Sequence, residues 1–83
     1  LKNRMNYTVV FFTHSGAIKF EKRMNKLNIP CTLQPVPRKI SSSCGICAKV
    51  CYENIIDDLI EDEIHSIYKD IAKNQYEMIY ESE

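Results

Sequence analysis

The sequence predicts an α+β fold of the ferredoxin-like, split βαβ kind: β-α-β-β-α-β, an antiparallel sheet with two helices on one face. Three observations carry this expectation. "YTVVFF" (7–12) is apolar at nearly every position, as in a strand covered on both faces. Immediately after it, Ala17, Phe20, Met24 and Leu27 recur at helical spacing. A second, longer stripe of the same period, Ile56, Ile60, Ile64, Ile67 and Ile71 joined by Leu59 and Tyr68, has acids opposite it, the mark of an amphipathic helix. The expected arrangement is one small domain over 1–83: strand 7–12, helix 14–28, strand 31–36, loop 37–44, strand 45–51, helix 54–73 and strand 75–81, with sheet order 4-1-3-2.

Each element has a local reason. The first strand is apolar enough to be central in its sheet. Thr13 is available as the N-cap of the first helix and Asn28 closes it. "CTLQPV" (31–36) is short and extended, and its prolines suit an edge strand better than a central one. "PRKISSS" is the one long polar, turn-like segment. "QYEMIYE" (75–81) alternates Tyr76, Met78 and Tyr80 with Glu77 and Glu81, a half-exposed strand.

The 83 residues are 45% hydrophobic and 27% charged, the composition of a folded globular domain rather than a disordered tail. No stretch approaches the roughly 20 apolar residues of a membrane span. No signal-peptide pattern opens the sequence, so the expectation is a cytoplasmic protein whose thiols are reduced or bound, with no membrane association. Leu1 in place of Met suggests a trimmed or partly ordered N-terminus. Zero formal net charge conceals a division. Up to residue 52, Lys2, Arg4, Lys19, Lys22, Arg23, Lys26, Arg38, Lys39 and Lys49 face Glu21 alone; beyond it the acids face only Lys69 and Lys73. Opposite charges on two elements of one domain usually complement each other, so no nucleic-acid partner is expected. Neither a phosphate-binding glycine loop nor a buried-looking carboxylate pair points to nucleotide or hydrolytic chemistry.

Three of four cysteines fall within "SSSCGICAKVC" (41–51). On a helix, Cys44, Cys47 and Cys51 would share about 60° of one face and could ligate zinc or an iron–sulfur cluster, with Cys31 as the fourth ligand. On a strand, Cys44 and Cys51 would lie about 23 Å apart and the site would fail. Ile46 and Val50 are β-branched and Gly45 is costly in a helix, so the strand is the expectation. Cys31, Cys47 and Cys51 then read as small apolar residues, with a Cys31–Cys51 disulfide at the base of a hairpin as an alternative.

Cys44 reads differently. It ends the polar loop beside Gly45, whose missing side chain leaves the sulfur approachable. In the split βαβ topology this loop lies at the same end of the sheet as the first helix's N-terminus. The helix's N–H groups, His14, Arg38 and Lys39 would then surround Cys44 with positive potential and favour its thiolate. Ser42 and Ser43 would add hydroxyl donors from the loop.

The stretch "THSGAIKFEKRMNKLNIPCTLQPVPRKISSSCG", with its Thr-His helix start, the "IP" after the helix and Pro-Arg-x-Ile-Ser-Ser-Ser-Cys-Gly, resembles the small bacterial domains described as putative selenium/sulfur carrier protein-like. The match covers residues 7 to about 50. This resemblance implies that Cys44 is a carrier cysteine holding sulfur or selenium as a persulfide or related adduct, in a carrier protein rather than a turnover enzyme. It implies protein donors, such as a cysteine desulfurase, and acceptor enzymes as partners. No cofactor is needed. Cys47 and Cys51 depart from the family pattern, in which apolar strand residues are expected there, and Cys47 could serve as a resolving thiol. Two other readings stand beside this one: a cysteine-ligated zinc or iron–sulfur module using Cys44, Cys47, Cys51 and Cys31, and an interaction domain whose open sheet face pairs with another subunit as a homodimer.

Overall fold

The computed structural model of the protein describes residues 5–40, 45–54 and 56–82. Five strands form one antiparallel sheet: β1 (Met5–Phe11), β2 (Cys31–Pro35), β3 (Ile46–Tyr52), β4 (Ile64–Ala72) and β5 (Gln75–Glu81), in the spatial order β2-β3-β1-β4-β5. One α-helix, α1 (His14–Lys26), joins β1 to β2. Because β3 lies antiparallel between them, β1 and β2 run the same way, and by the same logic β3 and β4 run the same way on either side of β1. Each of these two connections therefore crosses over an intervening strand.

The ferredoxin-like expectation is corrected at the second crossover. The described residues of 54–73 form no α-helix. They hold a single 3-10 turn, Ile56–Leu59, and then the whole of β4, which continues through a turn with Asn74 at φ 62° into β5. Among the described residues the fold thus has five strands and one α-helix, not four strands and two helices. β4 can use isoleucines at spacings of three and four because its register slips. Val10 pairs with Ser66 but Phe11 with Ile64, leaving His65 as an extra residue, so Ile64 and Ile67 both reach the helix face. Ile71 is the extra residue of a second slip, opposite β5, and it is exposed.

Local chemistry explains α1. Thr13 caps it, its Oγ1 accepting from Gly16 N at 3.0 Å. At the other end Asn28 takes φ 58°, and Ile29 N–H donates to Met24 O at 2.9 Å, the Schellman closure. Ala17, Phe20 and Met24 are fully buried against Val9, Phe11, Ala48, Val50 and Ile67, and the Phe11 and Phe20 rings lie 5.2 Å apart. Residues 56–63 cross the same face beside α1, with Ile56 and Leu59 buried in its core. Arg23 clamps them there, donating to Leu59 O (3.3 Å) and Asp58 O (3.0 Å) and pairing with Glu61.

Among the described residues no helix covers the opposite, open face, and no helix is long and apolar enough to cross a membrane. A second, smaller core forms on the open face from Val10, Cys47 and Ile40, bordered by Val36, Tyr68 and Tyr76.

Candidate functional site

The loop between β2 and β3 begins and ends on fixed points. Val36 N–H donates to Gly45 O at 3.3 Å, closing its neck. Gly45 has φ 81°, and a side chain there would meet no atom within 4 Å, so its backbone conformation rather than crowding calls for glycine. Ile40 N–H donates to Pro37 O at 3.0 Å in a turn, and the Ile40 side chain, 5% exposed, is seated on the small core of the open face. Arg38 and Lys39 are exposed on this turn. Lys39 borders a concavity of about 460 Å³ whose other walls include Ile40, Tyr68, Tyr76 and the exposed Ile71. Ser42, Ser43 and Cys44 lie outside the described residues; Cys44 is the covalent neighbour of Gly45.

The expected gathering of positive groups is only partly assembled by the described residues. His14 is exposed at the first turn of α1, which packs on the helix face, whereas Arg38 and Lys39 belong to a turn anchored through Ile40 on the open face. The start of α1 also meets an acid: Thr13 Oγ1 donates to Glu63 Oε2 at 3.2 Å, and Phe12 N–H donates to Glu63 O at 3.0 Å. A carboxylate here suits the partial positive charge of the helix N-terminus.

Three cysteines are placed by strands. Cys47 is fully buried on the open face, its thiol directed at Pro35 O at 3.7 Å. Cys51 shares that face four residues along β3, about 13 Å away at strand rise. Cys31 pairs with Val50 and points to the helix face, so it and Cys51 are on opposite sides of the sheet, and the hairpin-base disulfide is not formed. Burial pushes the Cys31 thiol up to about 12, with the charge of Glu21 adding to the effect. With residues 46–52 in a strand, Cys47 and Cys51 are too far apart to ligate one metal or cluster, and Cys44 lies outside the described residues. Among the described residues no three histidine, cysteine or acidic side chains are grouped to hold a metal.

Sequence reasoning missed a polar network on the open face. Lys49 Nζ donates to Thr8 Oγ1 (2.6 Å) and Asp70 Oδ2 (3.1 Å), Thr8 Oγ1 donates to Asp70 Oδ1 (2.8 Å), and the ammonium lies 4.8 Å from the centre of the Tyr76 ring. It ties four of the five strands together: β1, β3, β4 and β5. The available signal was a charged residue inside each of two apolar runs, Lys49 in "GICAKVC" and Asp70 in the isoleucine stripe, because a charge at such a position requires a partner.

Comparison with curated proteins and with solved structures finds no match. A family model described as "Putative Se/S carrier protein-like" matches residues 6–81.

Proposed function

Because the chain belongs to the Putative Se/S carrier protein-like family, we propose that it carries sulfur or selenium on Cys44. The observation that supports this assignment is the placement of the other thiols. Cys47 is fully buried, Cys31 is held as a neutral thiol by burial, and Cys51 is a half-buried strand residue, whereas Cys44 adjoins the exposed, positive-φ Gly45 at the neck of a loop. A carrier needs an approachable thiolate. Of the four positions, the loop position answers that need best.

The transfer balances without an external oxidant. The Cys44 thiolate attacks the outer sulfur of a donor cysteine persulfide; a new S–S bond forms to Cys44, the donor's S–S bond breaks, and the donor cysteine leaves as thiolate. The proton on the outer sulfur travels with it. Delivery repeats the step, with an acceptor nucleophile attacking the outer atom and Cys44 leaving as thiolate. Selenium follows the same path. The exposed Arg38 and Lys39 supply positive charge on the loop that leads to Cys44, suited to the anionic persulfide and to an acidic partner surface. The buried Cys47 has no part as a resolving thiol in this scheme.

Intact mass spectrometry tests the proposal. Reduced protein is mixed with a cysteine desulfurase and cysteine, alongside Cys44→Ser. A gain of one sulfur mass in the wild type and none in the variant is expected. An equal gain in both, or none in either, would remove Cys44 from the role.

A further inference from the structure

We infer that the concavity on the open face of the β4–β5 hairpin is a docking surface for a partner protein, which presents there an apolar side chain flanked by acidic residues. The inference takes from the carrier reading only that the protein meets partner proteins; neither the surface nor its test involves Cys44.

The apolar part of the surface comes from the hairpin. Among the described residues, three of the six exposed large hydrophobic side chains, Ile71, Met78 and Ile79, belong to this one element pair. Single exposed apolar residues are ordinary, but Ile71 shares the concavity of about 460 Å³ with Ile40, Tyr68 and Tyr76, and Met78 pairs with Tyr68 at its margin. Ile71 stands in the open because it is the extra residue of a register slip and has no partner in β5. The Tyr76 wall is set in advance: the Lys49 ammonium lies 4.8 Å from its ring centre and is itself bonded to Thr8 and Asp70. A pre-formed wall spares a partner the cost of ordering it.

Charge selects the occupant. The C-terminal half of the sequence is strongly acidic, yet the fold sorts its acids away from the concavity. Asp57, Asp58, Glu61, Asp62 and Glu63 lie on the crossover beside α1. Glu77 pairs with Lys69, which in turn lies opposite Tyr7 of the main core, so Glu77 faces the helix side. Asp70 is held by Lys49 and Thr8. Glu81 lies about 20 Å along β5 from Gln75 at strand rise. These are all the described acids of residues 56–82. Cations are left at the rim. Lys39 lines the concavity, Arg38 is exposed on the same turn, and the exposed Lys73 adjoins Asn74, which also lines it. An apolar floor bordered by three exposed cations complements an acidic segment that carries an apolar anchor. An anionic bilayer also attracts cations beside apolar groups, but it receives groups that protrude, whereas a concavity receives a side chain that enters it.

The test is an NMR titration of the isotope-labelled full chain with two synthetic peptides that differ only in charge. In one, phenylalanine and leucine are flanked by glutamates; in the other, lysines replace the glutamates. We expect the glutamate peptide to shift the amides of Lys39, Ile71 and Tyr76 while those of α1 stay in place. Its affinity should fall about fivefold to tenfold between about 20 mM and about 200 mM salt. The lysine peptide should bind at least about tenfold more weakly. Ile71→Ser, at a side chain whose exposure lets the fold tolerate the change, and the pair Lys39→Glu with Lys73→Glu should each weaken the glutamate peptide about fivefold or more. Shifts that are absent or fall elsewhere, equal affinity for the two peptides, or wild-type affinity in both variants would overturn the inference. So would either of two other occupants: vesicles rich in anionic lipid that shift the same amides where the glutamate peptide does not, or a dimer seen by sedimentation that Ile71→Ser abolishes and the glutamate peptide does not displace.

Discussion

The two crossovers of this sheet begin from similar apolar spacing and end in different structures. The first, α1, spaces Ala17, Phe20 and Met24 three and four apart; the second region spaces Ile56, Ile60, Ile64, Ile67 and Ile71 the same way, yet makes one 3-10 turn and a strand. Spacing does not distinguish them, but residue type does. The α1 stripe is made of unbranched or aromatic side chains behind a threonine cap, whereas the second stripe is entirely β-branched at its repeating positions. Between its isoleucines stand Asp57, Asp58, Asp62, His65, Ser66 and Asp70, all weak helix formers. A strand accepts those isoleucines readily, and a register slip at His65 is enough to bring Ile64 and Ile67 to one face.

The largest effect should come from the crossover that is a helix. Phe20→Ala removes a fully buried ring packed on Phe11, and a loss of about 3–5 kcal/mol in urea unfolding is expected, a large part of a small domain's stability. A loss under about 1 kcal/mol would mean that the helix face is not the main core.

The same crossover shelters Cys31, through Glu21 and the start of β2. Below pH about 9 this thiol is neutral in both folded and unfolded chains and contributes no pH dependence. Between about 9 and about 12 only the unfolded chain ionises it, so stability falls as pH rises through that window. In alkylation at pH 9, Cys31 of the native protein should react slower than in urea by roughly two to three orders of magnitude. Equal rates would show that the site is open.

Two smaller effects probe where the crossovers touch. A methyl group on Gly16 would stand 2.7 Å from Glu63 Cβ. Gly16→Ala should therefore destabilise by about 1–3 kcal/mol despite alanine's better helix propensity. Stabilisation instead would place Glu63 away from the helix. Arg23→Ala removes the clamp to Asp58 O and Leu59 O and should cost about 1–2 kcal/mol, with faster amide exchange confined to residues 56–61.

The smallest effect is the most discriminating. Ile71 is 59% exposed at a register slip of β4, so Ile71→Ser should change stability by no more than about 0.5 kcal/mol. A helix over 54–73 would have put Ile71 on its buried stripe, where the same substitution would cost several times more.

Much of the fold was legible in particular residues. "YTVVFF" announced a central strand, Thr13 and Asn28 bounded the first helix, and the β-branched Ile46 and Val50 identified β3, which separates its cysteines from a common metal site. The described ends of the loop after β2 were legible as well, because Pro37 is turn chemistry and Gly45 adopts a positive φ. The small core beneath Ile40 on the open face was not, since it joins residues of four strands and the turn at 37–40, and no local pattern records which face such a turn packs on.

By itself, then, the sequence carried the run β1–α1–β2, where caps, propensity and hydrophobic period agree, and it carried the strand that holds Cys47 and Cys51. Tertiary structure decided the second half. There the period favoured a helix and the residue types favoured a strand, and the exposed backbone edge of β1 resolved the conflict by hydrogen-bonding β4 along most of its length. It also decided the partners of Lys49 and Asp70, far apart in sequence, because a charge in an apolar run states that it needs a partner but not which one.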